Sequence, residues 1–312
     1  MATSGSTDFN VTAGEIIKDA LIDLGVIGAS ESVSGEDYVY CLRKLNQMIK
    51  TWQGQGIHLF KKDFMDLFLE AGKTKYSLNL TSGDNATLES VITEVKVAIG
   101  SSDTSIDVDS TTGIAASDNI GIETDSGTIV WRTVSSVTDS DTLVLSSSLG
   151  VAASVDNRVY TYTTKADRPL AIHSIRRVDD SDLEIKLNKL SREEYLNIPD
   201  KDQEGEPLCW YYDPQMGTGE LYIWPVSTDL GTHLKLDISK TFEDFDNSTD
   251  NPDFPVEFAE TLTANLAVRI ASAFDATDKL AAISVIAQET LQGVKGWDSE
   301  DASIYLVPDR GY

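Results

Sequence analysis

The sequence predicts an α+β protein: a helical-bundle core with antiparallel β strands, interrupted by an inserted all-β domain of sandwich or barrel type. Three observations predict this. Apolar residues recur at helical spacing near both ends of the chain. Strand-like alternation fills the segments between them. Composition then shifts over about residues 92–166 to Ser, Thr, Asp, Val and Ile, with no Pro or Cys.

The first helix is predicted over about 12–25. Thr12-Ala13-Gly14-Glu15 reads as a capping box, in which Thr12 and Glu15 satisfy each other's free amides. Ile16, Ile17, Ala20, Leu21 and Leu24 follow on one face, and Gly25 and Gly28 end the helix. A second helix is predicted over 34–53, with Glu36 and Asp37 in its first turn, where the helix dipole favours acids. Its stripe is Tyr38, Cys41, Leu42, Leu45, Met48, Ile49 and Trp52. Phe64–Glu70 and Lys75–Leu78 are predicted to pair as strands across the turn at Ala71-Gly72.

Short alternating runs then recur at roughly ten-residue spacing, from Ser105–Asp109 to Arg158–Tyr162. After Arg168-Pro169, Leu170–Val178 and Leu183–Leu190 read as a hairpin, and Ser191-Arg192-Glu193-Glu194 is a second capping box. Three strands follow over Pro207–Tyr212, Glu220–Val226 and His233–Lys240. Helices are predicted over about 255–275 and 278–295. The organisation is thus a core of 1–91 and 167–296, an inserted domain at 92–166, and an extended tail at 297–312.

Fifty-one acidic residues stand against 25 Lys and Arg, a formal charge of −26. Proteins that hold DNA by neutralising phosphates need the opposite sign. Such acidity serves solubility, or gives a surface past which duplex DNA slides without sticking. The polar N-terminus lacks the pattern of a secretion signal, which predicts synthesis in the cytoplasm.

Signatures of chemistry are sparse. No phosphate-binding glycine loop and no GxSxG elbow occurs. Cys41 and Cys209 form no CxxC pair and read as reduced, packed thiols. His58, His173 and His233 are scattered and form no metal motif, and His58 and His173, within strand-like segments, read as packing residues. Glu193-Glu194 and Glu243-Asp244 are the carboxylate pairs open to a hydrolytic reading, but Glu194 is already explained as a capping residue. Asp107, Asp109 and Asp118 match no calcium loop. Aromatics cluster at Trp210-Tyr211-Tyr212 and Tyr222-Ile223-Trp224 among acids, which favours a core or subunit interface over a base-stacking platform. In the insertion, Trp131 is the main exposed-looking aromatic.

An ordered series of segments carries a resemblance. It begins with Leu42-Arg43-Lys44-Leu45-Asn46-Gln47-Met48-Ile49, Trp52 and Gly56-Ile57. It continues with Arg168-Pro169-Leu170-Ala171-Ile172 and Leu190-Ser191-Arg192-Glu193-Glu194-Tyr195. Gly205-Glu206-Pro207, Tyr211-Tyr212-Asp213-Pro214 and Gly219-Glu220-Leu221-Tyr222-Ile223-Trp224-Pro225 complete it. In order and spacing these resemble the podovirus-type bacteriophage head-to-tail adaptors, also called tail accessory or packaged-DNA stabilisation proteins. The resemblance covers about three quarters of the chain and leaves out the 92–166 insertion, which shorter members lack.

The resemblance implies a structural virion protein with no enzymatic activity and no cofactor. It implies a ring, dodecameric in that family, lying under the portal and extending the DNA channel. The implied partners are further copies of the chain, the portal protein, a downstream tail nozzle or tail-tube protein, and duplex DNA passing without specific binding. No membrane partner is implied, and the implied location is the neck of the virion. The competing readings are a virion-associated cell-wall hydrolase using a carboxylate pair, and a glycan-binding adhesion module.

The tail is the expected interface with portal or neighbour. Trp297, Ile304, Tyr305, Leu306, Val307, Pro308 and Arg310 have no partner pattern of their own, and extended segments dock by strand addition or by filling pockets.

Overall fold

A computed structural model describes residues 5–57, 59–179, 181–228 and 232–297. It divides into two compact units, one of Met1–Lys61 with Thr241–Tyr312 and one of Lys62–Lys240.

The first unit opens with α1 (Ala13–Asp23) and α2 (Gly35–Gly54). Both halves of the α1 capping box form: Glu15 N donates to Thr12 Oγ1 at 3.3 Å, and Thr12 N to Glu15 Oε2 at 2.8 Å. The Thr12 amide and hydroxyl both donate to Glu15 Oε2, which holds that carboxyl below its ordinary pKa. Gly25, at φ +72°, turns the chain out of α1. Ile16, Ile17, Ala20 and Leu21 of α1 are buried with Cys41, Leu45, Met48, Ile49 and Trp52 of α2.

The chain then leaves for the second unit. There β1 (Lys62–Phe68), β2 (Lys75–Leu78) and β3 (Ala86–Thr87) precede a run of six strands. These are β4 (Val91–Glu94), β5 (Ser105–Asp107), β6 (Asn119–Glu123), β7 (Ile129–Val137), β8 (Thr142–Leu145) and β9 (Arg158–Tyr162). After them come β10 (Ala171–Val178), β11 (Glu184–Lys186), β12 (Asn188–Lys189) and the short helix α3 (Arg192–Leu196). The unit ends with β13 (Cys209–Pro214), β14 (Gly219–Trp224) and β15 (His233–Ser239).

Three sheets result, ordered β11-β10-β15-β1-β3, β12-β13-β14-β2 and β4-β9-β6-β7-β8-β5. Alternation explains the first two. Leu234, Leu236 and Ile238 of β15 point to one face, opposite Leu67 and Met65 of β1 and Ile175 and Ile172 of β10. Tyr76, Trp210, Leu221 and Ile223 of the second sheet join that same core.

The third sheet closes on itself. Lys96 N donates to Asp107 O at 2.9 Å and Asp109 N to Glu94 O at 3.0 Å, which joins the chain beyond β4 to β5. Closure removes the open edges on which strands aggregate. Ile106, Ile120, Ile122, Val134, Leu143 and Val159 fill its interior. Trp131 lies across Gly121, its partner in the β6–β7 pairing. A Cβ on Gly121 would stand 2.7 Å from that indole, so the position admits only glycine. Trp131 then meets Phe68 and Tyr162 at 5.5 Å between ring centroids, and Tyr160 meets Phe68 at 4.7 Å. This ring cluster ties the closed sheet to β1.

The chain returns to the first unit in α4 (Ala259–Ile270), flanked by 3-10 turns at Val256–Phe258 and Ala271–Phe274, and ends its described part in α5 (Leu280–Trp297). Leu262, Leu266 and Ile270 pack against α1 and α2. Phe258 sits among Phe60 and Phe254, at 5.4 and 5.3 Å, and Phe254 stacks on Phe242 at 4.5 Å. Of α5, Ile283, Ala287 and Val294 are buried, while Val285 and Ile286 face solvent.

The expected α+β fold with a helical-bundle core is corrected: the protein is mainly β. Among the described residues fifteen strands stand in three sheets against five α-helices, three of them of 12 residues or fewer. Helical periodicity over 10–20 residues is conspicuous in a sequence, whereas strands of two to nine residues are individually faint. Helical segments therefore dominate the sequence pattern more than they do the structure. The expected pairing of Phe64–Glu70 with Lys75–Leu78 is also corrected. β1 pairs with β15 and β3, while β2 pairs with β14, because the turn at Gly72 carries the chain from one sheet to the other. Trp131 is half-buried in the ring cluster and not an exposed aromatic.

Candidate functional site

In the second unit, the resembling segments between Arg168 and Pro225 come together, while those of Leu42–Ile57 lie in the first unit. Arg168–Ile172 leads into β10, and Tyr212 of β13 donates its hydroxyl to Pro169 O at 2.7 Å. Burial pushes the Tyr212 phenol up to about 12, so it remains a donor. The second capping box forms at α3, with Glu194 N on Ser191 Oγ at 3.2 Å and Ser191 N on Glu194 Oε2 at 2.7 Å. It presents Tyr195 to the sheet face opposite the core, where Tyr211 and Tyr222 are cross-strand partners. The three rings lie 5.1–5.8 Å apart, and Lys201 Nζ stands 5.4 Å from the Tyr195 ring. Beside them Lys75 pairs with Glu220 at 3.0 Å. Arg177, 6% exposed, reaches Glu206 Oε2 at 2.6 Å. The arrangement fixes α3 and the loop after it to a sheet, and places no nucleophile against a base.

The other candidates for chemistry are dispersed. His58 lies outside the described residues. His173 is exposed on β10, with Nε2 2.7 Å from Ser239 Oγ. Asp118 Oδ2 accepts Ala115 N at 2.7 Å and Asp107 Oδ1 accepts the Thr142 hydroxyl at 2.9 Å, so both acids serve turns and strand pairs. Among the described residues no group of His, Cys, Asp or Glu is placed to hold a metal ion. Among the described residues no helix is long and apolar enough to cross a membrane. Both cysteines are free, and burial raises the Cys41 thiol to about 11, away from the reactive thiolate.

His233 is 5% exposed beside Phe68 and Tyr160, with no hydrogen-bond partner for Nδ1. Burial lowers its pKa; Asp66 opposes that shift and Arg158 reinforces it. The folded protein therefore resists taking up a proton that the unfolded chain accepts below about 6.5. Stability from this site is present above about pH 6.5 and is lost as pH falls. Thermal melts of wild type and His233→Phe between pH 7.5 and 5 test this. The variant should lose less stability across that interval. Parallel curves would show that His233 does not titrate on unfolding.

The first unit carries two open surfaces. A cleft of about 820 Å³ is lined by Val11, Ile22 and Ile283, with Asp19, Asp23, Glu257 and Glu260 also on its walls. Burial and the neighbouring Asp19 push the Asp23 carboxyl up. A shallower groove of about 800 Å³ runs along α2, where Val39, Leu42, Arg43 and Lys50 meet Arg269 of α4. Its floor is fixed by Asn46, whose amide donates to Phe245 O and accepts Phe245 N, both at 2.9 Å. Lys50 is engaged by Asp244 at 2.8 Å and by Phe242 O at 2.6 Å. Among the described residues, no carboxylate pairs with Arg43 or Arg269. Sequence reading missed this groove, because only the packing of α4 on α2 brings the two arginines together. Of the residues expected at the interface, Trp297 closes α5. Ile304, Tyr305, Leu306, Val307, Pro308 and Arg310 lie outside the described residues.

The chain matches no family model and no curated protein. Among solved structures it shows a likeness to VP17, a capsid protein of bacteriophage P23-77. Identity is 9%, coverage is 61% of this chain and 77% of that one, and the TM-score is 0.12. A score that low carries no argument about fold or function.

Proposed function

We propose that this chain is a structural virion protein that forms a ring, dodecameric, between the portal and the tail of a bacteriophage. It extends the DNA channel and helps to retain packaged DNA. It works without catalysis or cofactor, is made in the host cytoplasm and resides in the neck of the virion. Its partners are its own copies, the portal, and a downstream tail nozzle or tail-tube protein. The observation that supports this reading is the ordered series of adaptor-like segments between Arg168 and Pro225, together with the packing of Tyr195, Tyr211 and Tyr222 on one sheet face and the bond from Tyr212 to Pro169 on the other. Mass measurement with and without the cognate portal protein tests it. The chain should join the portal at one fixed stoichiometry; a mass unaffected by portal contradicts the proposal.

A formal charge of −26 suits a channel component, because acidic walls repel phosphates and leave DNA free to slide. Duplex DNA should therefore show no salt-sensitive affinity for the purified protein near 0.1 M salt, where charges are screened over about 10 Å. Tight binding with a steep salt slope in a fluorescence titration would contradict this.

A further inference from the structure

The −26 chain carries, on α2, a groove whose unpaired charges are positive. Arg43 and Arg269 stand free of carboxylates among the described residues, and Lys50 is already held by Asp244. Beside them Val39 is 64% exposed, a large apolar group left in water. A ligand for this groove carries both acids and apolar side chains. The chain holds such a segment beyond α5, in Asp298-Ser299-Glu300-Asp301 followed by Ile304-Tyr305-Leu306-Val307. The neighbouring cleft is the wrong receptor, since Asp19, Asp23, Glu257 and Glu260 would repel those acids.

We propose that the α2 groove receives residues 298–308 of a second copy of the chain, with Asp298, Glu300 and Asp301 set against Arg43 and Arg269, and Ile304–Val307 against Val39 and Leu42. The lengths agree. Val39 to Thr51 spans about 18 Å of helix at 1.5 Å per residue, and eleven extended residues reach about 36 Å. A segment given by each copy and a groove offered by the next is a head-to-tail contact, which closes into a ring when the rotation allows. Duplex phosphate would match the arginines but not Val39 and Leu42. The inference rests on the ring reading, to which it adds the receptor.

The test uses a fluorescent peptide of residues 297–312 and the full-length protein at concentrations where it is monomeric. The peptide should bind, and more weakly as salt rises from 0.1 to 1 M and the screening length falls from about 10 to about 3 Å. Arg43→Glu with Arg269→Glu should weaken binding roughly tenfold or more, while Arg43→Lys with Arg269→Lys keeps most of it. Melting curves check that the variants fold.

No binding to the full-length protein overturns the inference, whether the groove is inert or already filled by the chain's own segment. Unchanged binding by the Glu variants, or complete displacement of the peptide by duplex DNA at 0.1 M salt, overturns it too. If rings form on portals while the peptide fails to bind, this inference falls and the ring reading stands. If the peptide binds but the chain never joins portal, the reverse holds.

Discussion

Deleting residues 297–312 should abolish assembly of the chain onto portals and leave the melting of the monomer nearly unchanged. Within the described residues, α5 already buries Ile283, Ala287 and Val294, and helix ends fray within a residue or two. Ile304, Tyr305, Leu306 and Val307 gain roughly 25 cal/mol per Å² of apolar surface when another surface covers them. That is a few kcal/mol of association before ordering costs. Calorimetry of the truncated chain and its sedimentation with portal check both halves. Normal loading of the truncated chain would show that the segment is not the tether. A large fall in melting temperature would show that it belongs to the core.

Phe258→Ala should cost about 3–5 kcal/mol of unfolding free energy, the range for a fully buried aromatic replaced by a methyl. Phe258 is 0% exposed and packs against Phe60 and Phe254, at the entry to α4. The cavity would face the rings of Phe60 and Phe254. A urea titration reads the effect as a lowered midpoint. A cost below about 1 kcal/mol would mean that the ring cluster does not organise this unit.

Local signals were legible in the sequence where one short segment contains the whole interaction. Both capping boxes, at Thr12–Glu15 and Ser191–Glu194, form as their spacing requires. Pairing between distant segments was not legible. Alternation places β1 and β2 but is silent on partners, and β2 goes to β14 in another sheet. Nothing in Lys96, Asp107 or Asp109 announces the backbone bonds that close the third sheet. The same limit hid the α2 groove: Arg43 was visible within the segment 42–49, but its companion Arg269 arrives only through the fold. The balance between helix and strand was misjudged for a related reason, since many short strands share cores that no single run displays.

The proposed function requires this chain to form a ring on a portal. Electron microscopy of the purified protein mixed with its cognate portal measures that most directly. Rotationally symmetric density is expected beneath the portal, coaxial with it, with subunits that accept both units of this structure around an open lumen. Portals that remain bare at saturating protein, or density confined to the outside of the particle, would contradict it.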